Sequence, residues 1–159
     1  MKKVNVNKLE ADKWGSDDGK FGGSGVQVSE ALGRERHSTD LMKRHPFDVE
    51  ILRVPPGKAP YPYHLHSAQF EYYHILSGEG EVRDAEGITP VTEGDAFLFK
   101  PGEAHQLRNT GTRELVVYVI ADNPLGEVWY YPDSDKWGVP VPERRWLRGE
   151  ALDYYDGEG

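Results

Sequence analysis

Glycines recur through the middle of the chain at a nearly constant interval, and that interval limits the folds open to it. Gly78, Gly87, Gly94, Gly102 and Gly111 are separated by 9, 7, 8 and 9 residues. Between and after them lie short pieces rich in Val, Ile, Phe, Leu and Tyr, at 71–76, 88–91, 96–99 and 115–120. Short apolar segments closed by turn residues leave little room for helices and predict an antiparallel sandwich or barrel. Asp84-Ala-Glu-Gly87 and Asn109-Thr-Gly-Thr112 read as hairpin connections, and 48–54 as a strand that stops at the Pro55-Pro56-Gly57 turn.

The flanks lack this regularity. Residues 12–25 form a loop whose order the sequence leaves open, and 26–32 read as an early strand or one turn of helix. Beyond Ile120, the aromatic run Glu127-Val-Trp-Tyr-Tyr-Pro-Asp-Ser-Asp-Lys-Trp137 is expected to cover a neighbouring chain in preference to the barrel's own mouth. Residues 153–159 are expected to fray. With 159 residues there is enough chain for one hydrophobic core and too little for two. The expected division is an N-terminal extension over 1–47 that contributes loops and edge strands, a barrel core over 48–121, and a covering segment and tail over 122–159.

Several function classes are disfavoured. The chain has no cysteine, which removes disulfides, thiolate zinc sites, iron–sulfur clusters and a cysteine nucleophile, and which fits a cytoplasmic location. A net charge of −8 argues against nucleic-acid or acidic-membrane partners, since neither has a basic footprint to meet. No apolar run approaches the roughly 18 residues of a membrane span, and the lysines near the N-terminus are followed by no apolar stretch, so no signal peptide is expected. Gly22-Gly-Ser-Gly25 lacks the Gly-Lys-Ser/Thr of a phosphate loop, the run from Asp133 lacks the later ligands of a calcium loop, and no Gly-x-Ser-x-Gly elbow occurs.

What remains is a constellation of histidines. In an extended segment His64 and His66 point to the same face and Leu65 to the other, with the two imidazoles roughly 6.6 Å apart along the strand. A carboxylate and a third imidazole from other strands, Glu71 and His105, would complete a mixed nitrogen and oxygen metal site.

The arrangement resembles the two motifs of the cupins, a family with a double-stranded β-helix fold. Gly57, His64, His66, Glu71 and Gly78 match the first motif, with four residues before Glu71 and six after it. Gly94, Pro101, Gly102, His105 and Asn109 match the second, except that the proline directly precedes the glycine, where the family more often has one residue between them. That departure alters a turn and not a ligand. The resemblance implies an all-β jelly-roll barrel, a double-stranded β-helix with short N- and C-terminal extensions. It also implies one divalent metal ion (Fe, Mn, Ni, Zn and Co being indistinguishable from sequence) held by His64, His66, Glu71 and His105. A homodimer and a small-molecule ligand or substrate are the expected partners. The implied function is a small-molecule enzyme of oxygenase, sugar-phosphate isomerase or lyase type. The alternative is a non-catalytic ligand-binding or sensor protein.

No residue is singled out for catalysis. Strand parity puts Tyr73 on the face of Glu71 as a pocket-lining candidate and His74 on the opposite one. Gln69 could neighbour the site without replacing Glu71 as a ligand, and His37 and His45 read as structural or solvent-exposed. An isomerase would need a pocket base other than Glu71, and a phosphorylated substrate would need cations. The nearest in sequence are Arg53, Arg83 and Arg108, whereas Arg144, Arg145 and Arg148 read as a solvated surface.

Overall fold

The computed structural model describes residues 1–36, 38–140 and 143–158; His37 therefore lies outside the described residues. Among the described residues the regular structure is mostly strand, in the order β1 (Asp12–Gly15), β2 (Gly22–Gln27), β3 (Phe47–Val54), β4 (Leu65–His66), β5 (Glu71–Ser77), β6 (Glu79–Arg83), β7 (Ile88–Thr92), β8 (Ala96–Phe99), β9 (Gln106–Arg108), β10 (Leu115–Asp122), β11 (Trp129–Tyr131), β12 (Lys136–Val139) and β13 (Arg145–Leu147). Two single-turn helices, α1 (Val28–Ala31) and α2 (Leu41–Arg44), join β2 to β3. Among the described residues no helix is long and apolar enough to cross a membrane.

One large sheet runs β1-β2-β3-β10-β5-β8, and two small ones run β7-β6-β9 and β13-β12-β11-β4. The central strand β10 alternates without interruption, with Leu115, Val117, Val119 and Ala121 buried and their neighbours only partly so. Pairing carries that alternation sideways: Val117 lies opposite Leu52 and Ile75, and Val119 opposite Glu50 and Tyr73. The inward face of the large sheet meets Val82, Val91 and Leu107 of the three-stranded sheet, making one apolar core with Phe99. Each fully buried aliphatic side chain there contributes about 1.5–3 kcal/mol. This is the antiparallel architecture that the glycine interval predicts and the all-β jelly roll that the resemblance implies.

The N-terminal flank is more ordered than its composition suggests. Residues 12–15 and 22–27 form the β1–β2 hairpin, which extends the large sheet along β3, and 28–31 form one helical turn. Val4, Val6, Leu9 and Ala11 then cover Val26, Val28 and Ile51 on the sheet's outer face. The expected hairpin at Asn109–Thr112 is not one: β9 pairs with β6 and β10 with β3 and β5, so this connection crosses between sheets. Asn109 is fully buried because it fixes that crossing, donating to the Val54 and Arg113 carbonyls and accepting from the Gly111 amide.

Gly78, between β5 and β6, has φ of 90°, and a Cβ there would press on the Glu114 carbonyl and the Leu115 backbone. Only glycine turns the chain so tightly from the large sheet to the small one.

The two small sheets are joined by an isolated antiparallel bridge between His64 and His105. Each amide of the pair donates to the other's carbonyl, at 3.1 and 2.8 Å. The three-stranded sheet closes one end of the barrel with apolar side chains. Side chains of the four-stranded sheet and of the large sheet line a cavity between them.

Candidate metal centre

His64, His66 and Glu71 line that cavity, and His105 lies against them. His64 and His66 flank Leu65 and are both buried, at 8% and 6% exposure, and His105 is buried at 2%. Glu71 enters from the first position of β5. The amide of Gly102, in the turn before His105, donates to the His66 carbonyl at 2.8 Å, which ties the two motif segments together.

One ligand atom from each of His64, His66, Glu71 and His105 lies within 4.8 Å of all the others. His66 Nε2 is 3.2 Å from His64 Nε2 and 3.5 Å from a Glu71 oxygen, and His105 Nε2 is 3.0 Å from that same oxygen. Adjacent donors around an ion at about 2.1 Å stand roughly 3 Å apart, so the group needs little contraction to close on a cation.

The outward ring nitrogens decide whether the inward ones can bind a metal. His64 Nδ1 lies 2.8 Å from the Pro62 carbonyl, and His105 Nδ1 3.0 Å from the Glu103 carbonyl. A carbonyl only accepts, so each Nδ1 carries a proton and each Nε2 is the ring atom left to offer a lone pair to a cation. His66 Nδ1 meets Glu127 Oε1 at 3.1 Å, the carboxylate–histidine pairing that orients metal-ligating imidazoles. The residues present fit a divalent cation.

Packing fixes the rings as well. His105 lies flat on Phe99 with centroids 3.7 Å apart, and His64 stacks on Tyr131 at 5.7 Å. The Tyr73 hydroxyl donates to Glu71 at 3.3 Å. Burial, helped by the neighbouring His105, pulls His64 down to about 4. Burial would lower His66 too, but the carboxylates of Glu127 and Glu71 overcome it and hold the ring up at about 9. Burial opposes ionisation of Glu71, yet bonds to His105 and His66 keep it well below the usual carboxylate range.

The cavity above these residues measures about 550 Å³. Glu50, Leu52 and Tyr61 form one wall, and Trp129, Tyr131, Lys136, Arg144 and Trp146 surround the mouth. The aromatic run thus folds over its own barrel, where a neighbouring chain was expected. The physical reason is that β11 pairs with β4, so Trp129 lies opposite His66 and is bound to the site by main-chain hydrogen bonds.

Other expectations shift with it. Arg53, Arg83 and Arg108 pair with Glu114, Asp133 and Glu81, whereas Arg144, exposed as expected, also borders the cavity beside Lys136. Lys136 lies 4.9 Å from the centre of the Tyr131 ring, and Arg144 5.4 Å from that of Trp129. Neither has a carboxylate within 4.0 Å among the described residues. His74 pairs across to Ala96 and Tyr118 and stays out of the group. Gln69 donates to the Asp122 carbonyl.

Two acids escaped the sequence reading. Glu127 is 8% exposed and also accepts from the Ser67 and Ala68 amides; nothing in its local sequence marks it. Glu50 could have been found, because it shares the strand parity of the buried Leu52 and Val54. It accepts from Gln27 Nε2 at 2.8 Å, and a Cβ on Gly25 would overlap its carboxylate. Burial, then the charge of Asp48, raises it from 4.5 to about 7.

Residues 50–121 match the cupin domain family model. A 64-residue stretch is 38% identical to an oxalate-binding protein of Thermotoga maritima, covering 40% of this chain and 52% of that one; the chain thus spans about half the length of the curated relative it matches. Among solved structures, a sugar phosphate isomerase of the cupin superfamily from Silicibacter pomeroyi superposes with a TM-score of 0.77 at 21% identity, over 96% of this chain and 98% of that one. A predicted oxalate decarboxylase from Thermotoga maritima gives 0.62 at 22% identity, over 77% and 100%. At these identities the two superpositions establish the fold.

Proposed function

We propose that this chain, a cupin of one domain, holds one divalent cation between His64, His66, Glu71 and His105 and uses it on a small oxygen-rich anion, as an enzyme of isomerase or lyase type. The observation that carries this reading is the set of outward-bonded Nδ1 positions, which aims three Nε2 atoms and a carboxylate at one point. When bound, such a cation polarises carbonyl or carboxylate oxygens. Four protein ligands leave room in a six-coordinate shell for a molecule that offers two oxygens.

Lys136 and Arg144 at the mouth support an anionic ligand, and the aromatic rings around them would exclude water from it. The names of the relatives, an oxalate-binding protein and a sugar phosphate isomerase, point to the same chemical class. An oxygenase would use the same donors, but the cationic mouth favours a charged ligand over dioxygen with an apolar one. The curated relative is named for binding alone, which supports a second reading, that of a ligand-binding protein without turnover.

We also propose a homodimer. The N-terminal segment covers the outer face of β2, β3 and β10, while Leu76 and Leu98 stay exposed on the outer face of β5 and β8.

Elemental analysis of purified protein should find about one divalent ion per chain, and His66→Ala with His105→Ala should abolish it. Calorimetry of the loaded protein with oxalate and with a hexose phosphate should give heats that vanish in the double variant. Unchanged metal content in that variant would refute the assignment. Light scattering giving a monomer mass would refute the dimer.

A further inference from the structure

Glu50 has no place in the ligand group, yet the fold arranges three features around it. It projects from the middle of β3 into the cavity lined by His64, His66 and Glu71. In the registered rows of the large sheet, Glu50 lies opposite Val119, and Val119 opposite Tyr73, one row along from Glu71. Two strand spacings put Glu50 and the β5 residues roughly 10 Å apart across the sheet, room for a small molecule between them. Strand β2 supplies a gap at Gly25 that any side chain would fill, and the Gln27 amide that holds one oxygen of the carboxylate.

A second cavity of about 420 Å³, reached past Arg34, Arg36 and Arg44, shares Glu50 with the first. Glu50 therefore has the donor group on one side and an outlet on the other.

We propose that Glu50 is the proton-transferring residue of this site, with Gly25 and Gln27 as the residues that position it. The inference rests on the metal reading above and adds the kind of substrate it serves: a carbonyl compound with an acidic C–H beside the carbonyl. The proton passes from that carbon to a free Glu50 oxygen. The electron pair of the broken C–H bond becomes a C=C bond, and the carbonyl π pair moves onto oxygen, where a cation held by the four donors would stabilise the charge. Return of the proton to the same carbon reverses the flow; its delivery to the former carbonyl carbon instead completes an isomerisation, when a hydroxyl on the first carbon gives its proton to the former carbonyl oxygen and its own C–O bond becomes the new carbonyl. No oxidant or reductant is consumed.

The environment suits the role. The groups facing Glu50 are Asp48 on its own strand, Gln27 on β2, Arg36 from the preceding loop, Glu71 on β5, and Tyr61 and Arg144 at the cavity wall. Burial and the two carboxylates outweigh Gln27 and Arg36, so the acid changes protonation near neutrality, the range in which a general base works best.

The test uses the zinc-loaded full chain in D2O with glyceraldehyde and its 3-phosphate, following loss of the C2 proton by NMR. Wild type should exchange at least one of the two. Glu50→Gln should slow exchange about 100-fold or more with the metal content of wild type, Glu50→Asp should recover part of the rate, and Gly25→Ala should resemble Glu50→Gln. Independently of turnover, carbon-13 NMR of glutamate-labelled metal-free protein should contain a carboxyl that titrates near pH 7 and is missing from Glu50→Gln. Exchange by Glu50→Gln at the wild-type rate, no exchange by zinc-loaded wild type on either probe, or no glutamate titrating above pH 6 overturns the proposal. A wild-type chain that takes up no metal overturns the metal reading, and this inference with it.

Discussion

Replacing Glu50 with glutamine should make the metal-free protein more stable, and only at one end of the pH scale. Folding lifts this carboxyl from 4.5 to about 7, through burial first and the Asp48 charge second. At about 1.4 kcal/mol for each tenfold change in proton affinity, that rise sets a ceiling of about 3 kcal/mol, and partial solvent access brings the expected effect to about 2 kcal/mol. The folded state keeps the proton to a higher pH than the unfolded state. Between pH 4.5 and 7 the unfolded chain therefore binds fewer protons, and native stability falls across that window. Below the window both states are protonated and nothing is lost; above it the penalty is complete. Glutamine matches the shape, can still meet the Gln27 amide and carries no charge to bury. Urea titrations followed by tryptophan fluorescence should give nearly equal stabilities at pH 4.5 and a variant about 2 kcal/mol more stable at pH 8. The corresponding gain in melting temperature is about 5 °C for a chain of this size. A difference that does not change with pH, or a variant weaker than wild type at pH 8, would refute the reasoning. The expected pattern is the stability cost of a functional group held where ionisation is disfavoured.

Further outcomes can be checked on the same protein. Glu127→Gln should keep the fold but weaken zinc binding about 10–100-fold, measured by competition with a chelator, because His66 loses the carboxylate that orients it. With His66 held up at about 9 by Glu127 and Glu71, metal binding at pH 7.5 should release close to one proton per ion. Calorimetry in two buffers of different ionisation enthalpy counts it, and zero release would contradict the geometry. Lys136→Ala combined with Arg144→Ala should weaken binding of an anionic ligand at least 10-fold at low salt and less at high salt, while metal content stays that of wild type.

The barrel and the four-residue group were legible because each follows from local rules. Glycine spacing delimits strands, and the two-residue period of a strand sorts Glu71, Tyr73 and Ile75 from Tyr72 and His74 without any knowledge of partners. The order of β1 and β2 was not legible, since a segment as rich in glycine as 19–25 has little intrinsic preference for a strand and is ordered by pairing with β3. Glu127 was invisible for a related reason: its role comes from a partner 61 residues away. The cations at the cavity are not those nearest the motifs along the chain, because closeness in sequence is not closeness in space. Lys136 and Arg144 reach the cavity through a separate sheet whose register is set by β11 against β4. Glu50 lay in between: parity pointed it inward, but only the missing side chain at Gly25 explains how the carboxylate fits.

The reciprocal main-chain bonds between His64 and His105 separate two duties that the same positions perform. Amides and carbonyls, which every residue but proline offers in full, hold the wall of the barrel together, while the imidazoles are what these two positions would offer to a cation. Such a scaffold can exchange its inorganic chemistry, or abandon it, by point substitution without dismantling its architecture. Diversification at these two sites should therefore outpace any change in the shape that surrounds them.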